Sequence, residues 1–557
     1  MFVRIKTTPN SPRKSVQIVQ SLRKGDKVFQ KIVRYIGIAM DDYELEKLKD
    51  LAEAVKIKLE AGNQELLFSP EDLVRLNKQS KKKNLEESEN DYKVNLKNLI
   101  EEQRVVSGIH DIYGKLFDEL GYAKTIKNPT RHESAVDIYR NIVLARIANP
   151  LSKMASIDML EESFGISLNL DKVYRMMDKL DIEAIERLND ITYKNTANLF
   201  NKKIDIIFFD CTTIYFEAFD DDDLRKAGYS KDLKFNQPQI LLALMVTTDG
   251  LPIGYKVFEG NKFEGHTLIP MIKEAEKKHK LNKVIFVSDA GMFSRNNLEE
   301  LENLEKNGVE YIVGGKIRNM PKEIKEEILD ISKYKEIRSG YKVRRLEYQG
   351  KNLIISYSER RAKKDARDRT KAIEAIQKKM AKNKSPHDYL SNYGYKRYLK
   401  VSNKIEVGIN EEKIKNDSRW DGLHGVVTNA KGISDNEILA QYKNLWNVEN
   451  AFRITKHDLK VRPVFHWKPS RVKAHLAISF TAYALVKYLE YRVKLQYKKL
   501  SCEKIRQTLI KAQTSILFDK VKKIRYGLPA RISQDARKIY KLIRQEWRLT
   551  PYIIKKM

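Results

Sequence analysis

The sequence predicts an α/β fold: a βββαβαβ core interrupted by a partly β insertion and completed by a late helix. A β-plus-helical region precedes it and a basic, helical C-terminus follows. Three observations carry this. Apolar strand-like runs between residues 205 and 313 are separated first by a tight turn and then by helical stretches. More than 110 residues lie between the last of these runs and the next capped amphipathic helix. Three acidic residues, Asp210, Asp289 and Glu449, fall at corresponding points of that order.

Residues 1–40 alternate as strands over 2–6, 15–22 and 27–36, with Lys24-Gly25-Asp26 turning the last pair. A charged helical stretch covers 41–62, and the polar run 78–90 reads as an exposed linker. From 96 to 200 the pattern is helical throughout, with Asn149-Pro150 as a break. The core follows. Strand one is 205–209; strands two and three, 239–247 and 251–258, flank the hairpin signal Thr248-Asp249-Gly250. A helix over 266–279, a strand to Ser288, a helix over 296–307 and a strand at 310–313 complete it. This succession marks the ribonuclease-H-like sheet. Strand-like runs at 341–348, 352–357 and 425–428 surround a basic helix near 362–384, so the long interval is an inserted subdomain, since structureless loops of that length are uncommon. The expected divisions are 1–95 (hairpin, helix and linker), 96–200 (helical, DNA-binding) and 201–315 (core, first part). Then come 316–430 (insertion), 431–492 (core, second part) and 493–557 (basic, helical).

The net charge of +31 is uneven: Arg453 to Met557 holds 27 basic and 6 acidic residues. Lysine-rich codon usage explains lysines everywhere but not their concentration at one end; a polyanion such as nucleic acid explains both. Cys211 and Cys502 are the only cysteines, which excludes a disulfide framework and zinc spacing. Met-Phe-Val-Arg-Ile-Lys holds no apolar signal core, and the apolar segment 475–491 is interrupted by Lys487 and too short to span a bilayer. A cytoplasmic protein without a membrane partner is expected.

Carboxylates at adjacent strand ends, joined by one from a helix above them, can hold two Mg²⁺ ions over a phosphodiester. Asp210 and Asp289 occupy the strand ends, and Glu449 the helix, which the capping box Ser434-Asp-Asn-Glu437 opens. On a continuous helix of about 100° per residue, Tyr442, Arg453 and Lys456 share the face of Glu449, with Leu445 and Trp446 flanking. Alone, Glu449 and Arg453 read better as an ordinary surface i,i+4 pair; the place of Glu449 in the strand order reverses this in favour of the metal site. The chemistry is that of a nuclease or DNA strand-transferase.

Tyr442-x2-Leu445-x3-Glu449-x6-Lys456 resembles the Tyr-x2-Arg-x3-Glu-x6-Lys signature of bacterial insertion-sequence transposases of the DDE class, insertion-sequence-four type. Similar to its long β-insertion branch are Asp210-Cys-Thr-Thr-Ile-Tyr-Phe-Glu217, Gly228-Tyr-Ser-Lys231, Gly250-Leu-Pro-Ile-Gly254, Gly260-Asn261, Asp289-Ala-Gly-Met292 and Arg462-Pro-Val-Phe-His466, with His475 beyond. The resemblance covers roughly residues 105 to 490. It implies that Asp210, Asp289 and Glu449 are the catalytic, metal-binding triad for two Mg²⁺ ions, with Mn²⁺ substituting, and that Tyr442 and Lys456 contact phosphates. Leu445 stands where the signature has Arg, and Arg453, one turn past Glu449, is offered as its substitute. The resemblance further implies a cut-and-paste transposase acting on the inverted repeats of its own element and on target DNA. The implied protein is a homodimer on double-stranded DNA, in the bacterial cytoplasm and nucleoid-associated when bound. In related transposases the insertion holds a hairpinned or flipped end, so Trp420, Trp446 and Trp467 read either as base-stacking surfaces or as structural aromatics. His466 and His475 read either as phosphate contacts or as core residues. The run Asp220 to Asp223 reads as a solvated loop, and Cys211 as a buried strand residue. The alternatives are another ribonuclease-H-like metal nuclease and an inactive or co-opted DNA-binding derivative.

Overall fold

The computed structural model describes residues 1–7, 13–24, 27–61, 92–201, 204–217, 221–228, 237–279, 284–292, 295–305, 308–382, 397–402, 406–497 and 499–554. The Gly25-Asp26 turn, the 78–90 linker, Asp220, residues 229–231 and the end of the basic helix at 383–384 lie outside the described residues. The chain divides into two compact units, Met1–Leu99 and Ile100–Met557.

In the first unit, strands β1 (Phe2–Thr7), β2 (Lys14–Lys24) and β3 (Lys27–Ala39) form an antiparallel sheet in the order β1-β2-β3. Val16, Ile18 and Ala39 are buried with Leu45 and Ala52 of the Asp42–Ala61 helix. The helix sits close: a Cβ at Gly37 would lie 3.1 Å from the Leu48 side chain.

The second unit begins with strand β4 (Leu99–Val106), which corrects the expectation of helix throughout 96–200. Its sheet partner β16 is far along the chain, so no local pattern announces the pairing. The helices Glu133–Ala148, Lys153–Phe164, Leu170–Met177 and Ile182–Leu199 follow. Ser152, Asn169 and Asp181 cap the last three by accepting backbone N–H groups, and the first stops before Asn149-Pro150.

Strands β5 (Ile206–Tyr215), β6 (Gln239–Val246), β7 (Pro252–Glu259), β8 (Val284–Ser288) and β9 (Val309–Gly314) form the predicted core. β5 pairs antiparallel with β6 and β6 with β7, while β5–β8 and β8–β9 are parallel. The β6–β7 turn closes with Gly250 in the left-handed region at φ 73°, where glycine carries no Cβ penalty. The strands after β9 are β10 (Lys335–Arg338), β11 (Tyr341–Tyr348), β12 (Lys351–Ser358), the hairpin β13 (Leu399–Ser402) with β14 (Glu406–Ile409), and β15 (Leu423–Thr428). All but the hairpin extend the core into one nine-stranded mixed sheet, β10-β11-β12-β15-β9-β8-β5-β6-β7. One face packs on a core that includes Ile142, Leu188, Val448 and Leu476; the other packs on Leu268, Ile272 and Leu301.

The C-terminal region is not all helical. After the Cys502–Ile510 helix come β16 (Gln513–Asp519) and β17 (Arg525–Pro529), and after the Gln534–Leu542 helix comes β18 (Tyr552–Ile554). Together with β4 they form the sheet β18-β17-β16-β4. The basic run after Asp519 turns a hairpin, with Lys523 at φ 55°, within the region expected to be helical. The apolar segment 475–491 lies in the Pro469–Gln496 helix, which is buried over much of its length. Among the described residues no helix is long and apolar enough to cross a membrane.

Candidate active site

The three acids arrive from three elements. Asp210 lies within β5, which runs on to Tyr215, so it does not end its strand as the apolar run suggested. It does lie where the pairing with β8 stops: Phe208 pairs with Val287, and Asp289 directly follows β8. Alternation puts Ile206 and Phe208 into the core shared with the late helices, and Ile207, Phe209 and Cys211 into the opposite one. Asp210 therefore faces the side occupied by the Glu449 helix. Its Oδ1 accepts the Cys211 backbone N–H at 2.7 Å, and Asp289 Oδ1 accepts that of Gly291 at 2.9 Å.

The single continuous helix expected to carry Tyr442, Glu449 and Lys456 is three pieces. Asp435–Lys443 is helical and capped by Ser434; the chain breaks at Asn444-Leu445; Trp446–Arg453 is a new helix; Ile454–Asp458 is a wide π-turn. Burial of Leu445 accounts for the break's placement, and Asn447 Nδ2 donates to Thr248 O at 2.8 Å, fixing the new helix to the β6–β7 turn. The constant 100° step thus fails across 434–456, and Trp446, expected to flank the site as an apolar anchor, is 52% exposed.

Tyr442 nevertheless lies within the field of the acids. Its hydroxyl lies over the end of β9, where a Cβ on Gly314 would come 2.4 Å from it. Burial pushes its pKa up to about 12; the Asp289, Glu449 and Asp210 charges add to this, and Arg361 opposes it. One phenol thereby feels all three carboxylates. The His424 ring packs on Tyr442 at 4.9 Å and is drawn down to about pKa 4 by burial, aided by Arg361 and Lys443. Among the described residues, no three Asp, Glu, His or Cys side chains stand close enough to hold a metal ion as placed.

The remaining predicted contacts lie elsewhere or are engaged locally. Arg453 donates to Asn450 Oδ1 at 3.1 and 3.0 Å and pairs with Asp458. Lys456 and His466 line a second cavity of about 430 Å³ with Tyr215, Arg225 and Arg462. His466 is buried, edge-on to Tyr174 and 5.6 Å from the His475 ring. Trp467 is exposed beneath the Arg225 guanidinium, and Trp420 is half-buried beneath Arg318. Cys211 is buried; Asp222 accepts the backbone N–H groups of Leu224 and Arg225, a loop role.

Sequence reasoning missed a large cavity. About 1150 Å³ in volume, it starts at Ala290 beside Asp289 and is lined by Arg318, Arg361, Arg369, Arg397 and Trp420 among others. Arg369 pairs with Asp421, and Arg318 and Arg397 with Asp417. Its lining comes from widely separated segments; the basic helix Glu359–Lys382 was the available signal.

Residues 201–485 match the family described as the transposase DDE domain. No curated protein matches the sequence. Among solved structures, the piggyBac transposase synaptic complex with hairpin DNA shares 12% identity, covering 73% of this chain and 77% of that one, with a TM-score of 0.35. The Mos1 transposase paired-end complex with left transposon end shares 16%, covering 47% and 71%, with a TM-score of 0.14.

Proposed function

The chain belongs to the transposase DDE-domain family, and from that premise we propose that it is a bacterial insertion-sequence transposase of the insertion-sequence-four signature class. It binds the inverted-repeat ends of its element as a homodimer, cleaves them on a ribonuclease-H-like core and joins the 3′ ends to target DNA. What supports the reading most directly is that the charges of Asp289, Glu449 and Asp210 all act on the Tyr442 phenol.

Asp210, Asp289 and Glu449 offer an all-oxygen donor set suited to hard divalent cations. Glu449 is exposed at the start of its helix, so its side chain has room to turn inward toward the two aspartates. Two Mg²⁺ ions, or Mn²⁺ in their place, supply when bound an activated oxygen nucleophile and charge neutralisation at the leaving 3′ oxygen. Tyr442 keeps its proton at neutral pH and donates a hydrogen bond to a non-bridging phosphate oxygen. Lys456 and Arg453 hold the flanking backbone, Arg453 after exchanging its contacts with Asn450 and Asp458 for phosphate. Trp446, exposed beside Glu449, offers a base-stacking surface, and His466 a phosphate contact from its cavity. Catalysis by the chain itself is positioning and charge placement. The protein works in the cytoplasm, on the nucleoid.

The test is a strand-transfer assay with full-length protein, Mg²⁺ and a duplex carrying the inverted repeats that flank the gene. Cleaved ends joined to target DNA are expected. Binding without cleavage would instead identify a co-opted copy. Cleavage without joining, or of RNA·DNA hybrids and junctions in preference, would identify another nuclease.

A further inference from the structure

We infer that the N-terminal sheet is a duplex-DNA docking surface, with the β2–β3 ribbon entering the major groove. The inference rests on the transposase reading for its partner but concerns a different part of the chain from the triad.

The first unit is polarised. Residues 1–40, which form the sheet, hold nine basic residues and one acidic; residues 41–61, which form the helix, hold four basic and seven acidic. Among the described residues the helix covers one side of the sheet; on the other, Gln17 and Val19 of the central strand are buried while much of β3 is exposed. Pairing places Val3 beside Ile18 and Ile5 beside Val16, on the side of the helix. Arg4 and Lys6 pair with Gln17 and Ser15 on the other side, which β3 shares through Ile32, Tyr35 and Val28, the partners of Val19, Gln17 and Arg23. There Val28 is 64% exposed, Tyr35 50% and Ile32 49%. Exposed apolar side chains grouped in this way mark an interaction site, and the surrounding lysines and arginines make a polyanion its complementary partner.

Shape selects the duplex. β1 pairs only with residues 14–19 of β2, so residues 20–24 and 27–31 continue as a two-stranded arm. Such a ribbon is marginal in water by itself, and this one exposes Leu22 and Phe29 as well as Val28. Neighbouring strands lie about 4.8 Å apart, and a major groove about 12 Å wide admits a two-stranded ribbon. Inside the groove, apolar side chains meet thymine methyls while flanking cations meet phosphates.

The test measures binding of the full chain, without divalent metal, to a duplex of roughly 40 base pairs carrying the gene-flanking repeat and to a scrambled duplex; that length covers several helical turns. Lys6→Glu with Arg23→Glu should weaken binding about tenfold or more and make the log–log salt slope shallower by about two. The milder Lys6→Gln with Arg23→Gln should give a smaller loss in the same direction, which guards against misfolding. Lys47→Glu with Lys49→Glu, an equal charge change on the helix, should leave affinity near wild type. Ile32→Ser with Tyr35→Ala should lower affinity without altering the slope. Equal losses from sheet and helix pairs would overturn the inference. So would a shift in oligomeric state from the apolar pair with DNA affinity intact, which would make the face a contact between copies. In an Asp210→Asn background the sheet pair should still weaken binding and the helix pair should not, which separates this surface from the catalytic reading. Wild-type protein that binds neither duplex would sink both.

Discussion

Two charged regions of the second unit solve opposite problems. At the strand ends, Asp210, Asp289 and Glu449 share the field of one phenol, and the two aspartates accept backbone N–H groups beside them. In the helical layer, Arg146, Lys153 and His475 are buried, and their N–H groups are met by neutral acceptors. Arg146 donates to Leu459 O, Lys460 O and Leu151 O. Lys153 Nζ lies 3.2 Å from His475 Nδ1, and His475 Nε2 lies 3.0 Å from Val461 O. A carbonyl only accepts, so His475 carries its proton on Nε2 and receives Lys153 on Nδ1. Burial holds the pKa of Lys153 and of His475 well below the usual values. The acids gather like charge where a cation and a phosphodiester would relieve it; the bases gather N–H donors where internal dipoles already satisfy them. The first arrangement suits chemistry, and the second holds the chain at 459–461 against the helices Glu133–Ala148 and Pro469–Gln496.

Neutralising one acid breaks the comparison most directly. Asp289→Asn or Asp210→Asn keeps shape and removes charge, so cleavage of an end duplex in Mg²⁺ should fall by about 10³-fold, the upper range for one preorganised electrostatic group. The melting temperature should barely move. A variant that loses stability in proportion to activity would place the acid in a structural role.

Gly314 sharpens the same half. An alanine Cβ there would lie 2.4 Å from Tyr442 Oη and 2.8 Å from the Ala290 backbone nitrogen. The phenol can swing away; the backbone cannot. Gly314→Ala should therefore displace Tyr442 and the segment beside Asp289 together, lowering cleavage by about 10²-fold, comparable to losing one positioned donor. Tyr442→Phe, which removes only the hydroxyl, should cost nearer tenfold. Equal losses in single-turnover rates would mean that Gly314 acts through Tyr442 alone.

The placement of these candidate residues was legible where it rests on strands and obscure where it rests on a helix break. The apolar runs before Asp210 and Asp289 and the Thr248-Asp249-Gly250 turn are local signals, and the core sheet followed them. The break at Asn444-Leu445 has no breaker residue, since both positions keep right-handed helical angles. It arises because Leu445 is buried while Asn447 is held by the β6–β7 turn, a tertiary cause that periodicity cannot register. Strands β4 and β16 to β18 were hidden for the same reason, as β4 joins that sheet across most of the second unit's sequence. The 1150 Å³ cavity is a property of folded segments meeting.

On the basic side, Lys153→Met keeps the stem's packing and deletes the ammonium. His475 Nδ1 is then buried without its donor, at a cost of about 1–3 kcal/mol. Chemical denaturation should show that loss, while the cleavage rate of the folded fraction stays near wild type. A large fall in that rate would mean that the cluster reaches the active site through the 459–468 segment.

The smallest effect is in the pH dependence. Burial, with Lys153, Arg471 and Arg146 adding to it, lowers the His466 pKa to about 4 from 6.5. Below pH 6.5 the unfolded chain takes up this proton first, so unfolding gains free energy as pH falls and the contribution of His466 to stability is lost progressively down to about pH 4. Above pH 6.5 both states are neutral at this ring and its contribution is constant. His466→Phe retains an aromatic against Tyr174 and His475 but cannot titrate. Its stability should fall less steeply than wild type between pH 6.5 and 4, and the difference between the two profiles should vanish in slope above pH 7. His110 and His424, also lowered to about 4 by burial, leave a residual slope in the variant. Parallel profiles across the whole range would show that His466 takes its proton as readily in the fold as outside it, and the cluster would then resemble the acidic site in carrying charge that it does not resolve internally.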